Sequence, residues 1–197
     1  MLLFSCFSLN AQQKGYQLGD KITDFQLVDV SGEKKSLADH TNAKGFIIVF
    51  TCNTCPVAQA YEDRIIALDQ KYKTLGYPVI AINPNDPDVQ GGETLEDMKK
   101  RSEMKDFTFP YLYDPGNVVA KTFHPTKTPH VFIVHKDAND MILKYIGAID
   151  DNQEGTPENK FVENAIADLM QGKDPEIPST KAVGCAVKWK KDVAMIK

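Results

Sequence analysis

Apolar residues in this chain follow two rhythms. Gly45 to Phe50 (GFIIVF) and Val79 to Ile82 (VIAI) are unbroken runs rich in β-branched and aromatic residues, the pattern of strands covered on both faces. Between them, Val57, Tyr61, Ile65, Leu68 and Tyr72 recur at spacings of three and four, with Glu62, Asp63, Arg64 and Lys71 among them. That spacing predicts a helix of about 18 residues, closed near Gly76. Strand, helix and strand make a βαβ unit with a right-handed parallel crossover. Upstream, Phe25 to Val30 alternates as a half-buried strand before the turn Ser31-Gly32. Downstream come a turn-rich loop (NPNDPDVQGG), a charged helix from Thr94 to Met104, an extended piece from Phe109 to Tyr113 and a short helix from Asn117 to Phe123. His130 to Val134 and Met141 to Gly147 read as a hairpin joined through KDAND. Phe161 to Met170 is an amphipathic helix stopped by Gly172 and Pro175.

The composition changes this picture little. With 197 residues, 42% of them hydrophobic and 25% charged, the chain can build one sizeable core. A net charge of −4, with no Lys/Arg cluster longer than three, argues against nucleic acid as a partner. No apolar stretch approaches the roughly 18 residues of a membrane span. The N-terminus, MLLFSCFSLNAQQ, begins apolar and ends in the small-residue context Leu9-Asn10-Ala11. Residues 1–12 therefore read as the remnant of an export signal that lacks its basic start. Leu3-Phe4-Ser5-Cys6 also resembles a lipoprotein cleavage box. The expectation is a periplasmic or cell-envelope protein, with a cytoplasmic one as the alternative and membrane attachment only through a lipid anchor.

Four cysteines carry the candidate chemistry: Cys6, Cys52, Cys55 and Cys185. Cys52 and Cys55 form a C-x-x-C where a buried strand gives way to a helix. A helix start offers unpaired N–H groups and positive potential, and both stabilise a thiolate. The three-residue spacing lets one sulfur resolve a mixed disulfide formed on the other. On this reasoning Cys52 is the nucleophile and Cys55 the resolver, although Pro56 disfavours helical geometry at Cys55.

FTCNTCPVAQAYEDRI, TKTPHVFIV and IGAIDDN together resemble the thioredoxin superfamily. The likeness is to its exported redoxin branch, related to peroxiredoxins and to cytochrome-maturation thiol reductants. The resemblance implies an α/β, thioredoxin-like fold with a central mixed sheet flanked by helices. Residues 13–172 would be the redoxin domain, and 173–197 a C-terminal extension that runs over the surface and then docks through Val183 to Trp189. It also implies a cis bond at Thr128–Pro129, facing the cysteines, with the Thr128 backbone paired to an extended substrate segment. Ile146-Gly147-Ala148 would supply the third wall. A similar G-C-x-x-K-W segment ends related redoxins, which ties the tail to the domain. Thr51 stands where many thioredoxins carry Trp, and Asn53-Thr54 where they carry Gly-Pro. Phe46 replaces a buried aspartate, which leaves Glu62, Asp150 or Asp151 as substitute proton acceptors.

The implied function is thiol–disulfide exchange with a disulfide- or dithiol-containing protein substrate and a thiol electron donor or acceptor. Peroxidase activity, and so an antioxidant role, is the alternative. Against it, Val49 stands three residues before Cys52, where peroxiredoxins set a threonine, and Cys52 itself stands three before Cys55. Copper carriage is a further alternative, with His130 beside the two thiolates. Zinc lacks a second ligand pair. No organic cofactor is expected, since no phosphate-binding glycine loop occurs, and no metal is expected either. Asp150-Asp151 reads as a solvated turn, Glu96 to Lys105 as a solvated helix face, and His124 and His135 as surface or packing residues. Cys185 is either a packed hydrophobe or a third redox thiol.

Overall fold

The computed structural model describes residues 15–138 and 140–190, so Cys6 and the expected signal remnant lie outside the described residues. Among the described residues are nine strands, β1 (Gln26–Asp29), β2 (Lys34–Ser36), β3 (Gly45–Phe50), β4 (Val79–Asn83), β5 (Tyr111–Tyr113), β6 (Lys127–Thr128), β7 (His130–Asp137), β8 (Asp140–Gly147) and β9 (Cys185–Ala186), and four α-helices. The helices are α1 (Pro56–Tyr72), α2 (Leu95–Lys105), α3 (Val118–Phe123) and α4 (Phe161–Met170). Seven strands form one mixed sheet in the order β2-β1-β5-β4-β3-β7-β8. β3, β4 and β5 run parallel, and β7 and β8 continue antiparallel from β3.

The apolar run of β3 divides by parity, as a strand between two cores must. Ile47 and Val49 face α1 and α4, together with Ile65, Leu68, Val162 and Ile166. Phe46, Ile48 and Phe50 face the opposite layer, with Phe123, Phe132 and Leu143. Phe46 is wholly enclosed in that layer, with the Lys136 ammonium 5.2 Å from its ring centre. The parallel βαβ arrangement brings the ends of β3 and β4 to one sheet edge, so the loops that follow them meet. α2 begins beyond the second loop with a reciprocal cap between Thr94 and Asp97.

Two features escape the sequence pattern. β2 is a short polar edge strand that pairs only with β1. β6 and β9 form a separate two-stranded ribbon that joins the C-terminal segment to the residues before Pro129. Neither is long enough to show a period.

Candidate active site

β3 ends at Phe50, and the chain turns through Thr51, Cys52, Asn53 and Thr54 before α1 starts at Pro56. Cys55, with extended backbone, is the N-cap. Proline suits the first helical position because the N–H it lacks would have no partner there. The assignment of the helix-stabilised thiol to Cys52 is therefore corrected: the helix start belongs to Cys55. Both sulfurs are nearly enclosed, with each residue 3% exposed. Cys52 Sγ lies 3.1 Å from Thr128 Oγ1, and Cys55 Sγ lies 3.4 Å from the Thr128 carbonyl oxygen. The Thr128–Pro129 bond is cis, as the resemblance implies.

The turn wraps a carboxylate that sequence reasoning missed. Glu93 is fully buried and accepts five hydrogen bonds. They come from the Asn53 and Thr54 N–H groups, the Thr54 hydroxyl and the side-chain amides of Asn83 and Asn85. Asn53 is held further by Gly92 O and the Tyr111 hydroxyl. The signal for Glu93 was topological: its loop follows β4, the parallel neighbour of β3, so it returns to the same edge.

The electrostatics of the pair are asymmetric. The Cys55 thiol is pushed down, first by the neighbouring Cys52 thiol. The Cys185 thiol and the N–H groups of Ala58 and Cys185 add to this, against the opposing effect of burial. Cys52 is pushed up by the neighbouring Cys55 sulfur, by burial and by the negative charge of Glu93. These influences favour ionisation of Cys55 over that of Cys52.

The acids expected to serve as proton acceptors are engaged elsewhere. Glu62 forms a two-pronged pair with Arg101, both contacts at 2.7 Å. Asp150 is not a solvated turn residue; it is buried, 2.7 Å from Arg64 Nη1 and 2.9 Å from the Tyr61 hydroxyl. Asp151 caps the exposed loop at Glu158 and Asn159. Arg101 likewise shows that the α2 face is not wholly solvated. His130 is buried, and its Nδ1 accepts the Thr126 N–H at 3.2 Å. Its pKa is pushed down to about 4 by burial. Among the described residues, no group of three or more His, Cys, Asp or Glu side chains could hold a metal ion.

The Thr128 edge is filled by the chain itself. β9 runs antiparallel to β6, with Thr128 opposite Cys185 and Lys127 opposite Ala186. Cys185 thus packs against Cys52, Cys55 and Ala58. Just upstream, Ser179 bridges to Ile146, and Thr180 Oγ1 accepts the Ala148 N–H at 2.9 Å, so the tail also lies along the Ile146-Gly147-Ala148 wall.

A family model described as the AhpC/TSA family matches residues 18–145, well over half of the chain. The chain belongs to the AhpC/TSA family. Its thioredoxin-like fold is shared with solved structures. A conserved protein from Geobacillus kaustophilus is 30% identical, with a TM-score of 0.82 over 90% of this chain and 94% of that one. A hypothetical protein from Sinorhizobium meliloti is 27% identical, also at TM-score 0.82, over 91% and 98% of the two chains. A putative thiol:disulfide interchange protein DsbE from Chlorobium tepidum is 24% identical, with a TM-score of 0.53 over 64% of this chain and 82% of that one. No curated protein matches the sequence. The first two likenesses extend across most of the chain, whereas the family model ends at Tyr145, before the tail.

Proposed function

We propose that this AhpC/TSA-family redoxin is a thiol–disulfide oxidoreductase in which Cys55 is the attacking thiolate and Cys52 the resolving thiol. The observation that carries the reading is that Cys55 caps the start of α1 and packs there with Cys52, Ala58 and Cys185. In the reducing direction, Cys55 attacks a disulfide sulfur, forms a mixed disulfide and releases one thiolate. Cys52 then attacks Cys55, gives up its proton and releases the second thiol, which leaves a Cys52–Cys55 disulfide. A thiol donor returns the pair to the reduced form, and the same steps run backwards against a dithiol.

Peroxidase chemistry is the second reading, favoured by one observation. Cys52 stands three residues before Cys55 and packs against it, the position a peroxidase would give a hydroxyl. Insulin-disulfide reduction and hydrogen peroxide consumption, assayed on one preparation, separate the two. Disulfide exchange that is lost in both Cys52→Ser and Cys55→Ser, with slow peroxide turnover, is the expected result. Fast peroxide consumption that survives Cys52→Ser would replace the first reading with the second.

A further inference from the structure

Three thiols meet at this site, and only one of them faces solvent. Cys52 and Cys55 are each 3% exposed, whereas Cys185 is only half-buried. The register that sets Cys185 opposite Thr128 puts it beside the residue that both other sulfurs touch. Cys52, Cys55 and Cys185 pack into one cluster, and the electrostatics of Cys55 answer to both of the others.

The tail that carries Cys185 is fixed on both sides of it. Upstream, the Ile146 N–H donates to Pro178 O and the Thr180 N–H to Ile146 O, each at 3.0 Å. Downstream, the Lys188 N–H donates to Asn85 Oδ1 at 2.9 Å, the Asp86 N–H to Lys188 O at 2.9 Å and the Lys190 N–H to Asn117 Oδ1 at 2.7 Å. Val187 is buried between these anchors. Asn85 also binds Glu93, so the tail and the Cys52–Cys55 turn share one network. Gly184 lets the backbones meet: a Cβ there would lie 2.0 Å from Thr128 O. A tail held this firmly leaves Cys185 as the thiol a disulfide in solution meets first.

We propose that Cys185 is a third redox thiol, which takes up a solvent disulfide and hands it inward to Cys55 and then Cys52. This deepens the oxidoreductase reading and rests on it. In the first step Cys185 attacks the disulfide RSSR, and its proton leaves with the first RS group as RSH. The Cys55 thiolate next attacks the Cys185 sulfur and expels the second as RS⁻, giving a Cys55–Cys185 disulfide. Cys52 then attacks Cys55, and its proton goes to the departing Cys185 sulfur. The balance is one RSSR consumed, one RSH and one RS⁻ released, and two cysteines oxidised to Cys52–Cys55. The neighbouring Cys55 sulfur and burial hold the Cys185 thiol above its ordinary range, with a smaller opposing pull from Lys188 and Lys127. The two lysines also suit an anionic disulfide such as glutathione disulfide.

The test uses glutathione disulfide on the full chain, with products mapped by mass spectrometry of proteolytic peptides. Wild type is expected to end with a Cys52–Cys55 disulfide; if it does not, the oxidoreductase reading itself fails. Cys52→Ser is expected to stop at a Cys55–Cys185 disulfide, and Cys55→Ser with glutathione on Cys185. Cys185→Ser, checked for native circular dichroism, is expected to slow the wild-type reaction roughly tenfold or more, because the enclosed thiolate loses its accessible partner. Glutathione found on Cys55 in Cys52→Ser with Cys185 unreacted, or an undiminished rate in Cys185→Ser, overturns the relay while leaving the Cys52–Cys55 reading intact.

Discussion

At the scale of single residues, the site is governed by where one proton rests. Proline at the first helical position makes Cys55 the N-cap, and the buried charge of Glu93 opposes ionisation of Cys52. The two effects act in the same direction. Glu93→Gln tests the second. An amide in place of the carboxylate turns its NH2 toward groups that are themselves donors, so unfolding free energy is expected to fall by about 1–3 kcal/mol in urea denaturation. The pH at which Cys52 ionises is also expected to drop; no movement would show that Glu93 is structural only. The C-x-x-C pair was plain in the sequence, and so was the evidence for its polarity, since Pro56 at the helix start already points to Cys55 as the cap. Glu93 was less legible. It lies 38 residues beyond Cys55 in a loop without periodic pattern, and only the pairing of β3 with β4 brings it home.

At the scale of elements, long apolar or amphipathic segments announced themselves and short ones did not. β3 was read to its exact ends, and α1, α2, α4 and the β7–β8 hairpin to within a few residues, because burial on one or both faces imposes a period. β6 and β9 are two residues each and depend on tertiary contact alone. Their junction has one sharp requirement. Gly184 has φ +147°, a conformation that side chains rarely adopt, and sits against Thr128 O. Gly184→Ala is expected to cost on the order of 1–3 kcal/mol in stability. It should also speed hydrogen exchange at Cys185 and Ala186, with little change in the strands of the main sheet. Unchanged protection at those two amides would mean that the ribbon tolerates the methyl group, and that the close approach does not hold the tail.

At the scale of the whole molecule, the two cores on either side of the sheet hold the ends of β3 and β4, the start of β7 and the C-terminal segment at one edge. Among the described residues no helix is long and apolar enough to cross a membrane. Burial also fixes an acid response. His130 has its pKa pushed down to about 4 from an ordinary 6.5, so the unfolded chain binds a proton that the folded chain refuses. Stability from this group is complete above about pH 6.5 and is lost as pH falls toward 4, by about 3 kcal/mol. His130→Asn retains a side-chain acceptor for the Thr126 N–H and removes the titration. Denaturant unfolding at about pH 7.5 and pH 4 is therefore expected to show a smaller acid loss in the variant by about that amount. Equal losses would place the acid sensitivity elsewhere.

The most direct test of the central claim is the thiolate absorbance near 240 nm, followed across pH in the reduced protein, because it needs no reagent to reach the enclosed sulfurs. Wild type is expected to show one thiolate, that of Cys55, titrating well below an ordinary cysteine. That low-pH step should vanish in Cys55→Ser and persist, shifted upward by the lost hydrogen bonds, in Cys52→Ser and Cys185→Ser. A low-pH thiolate that survives Cys55→Ser and disappears in Cys52→Ser would contradict the account and return the nucleophile to Cys52.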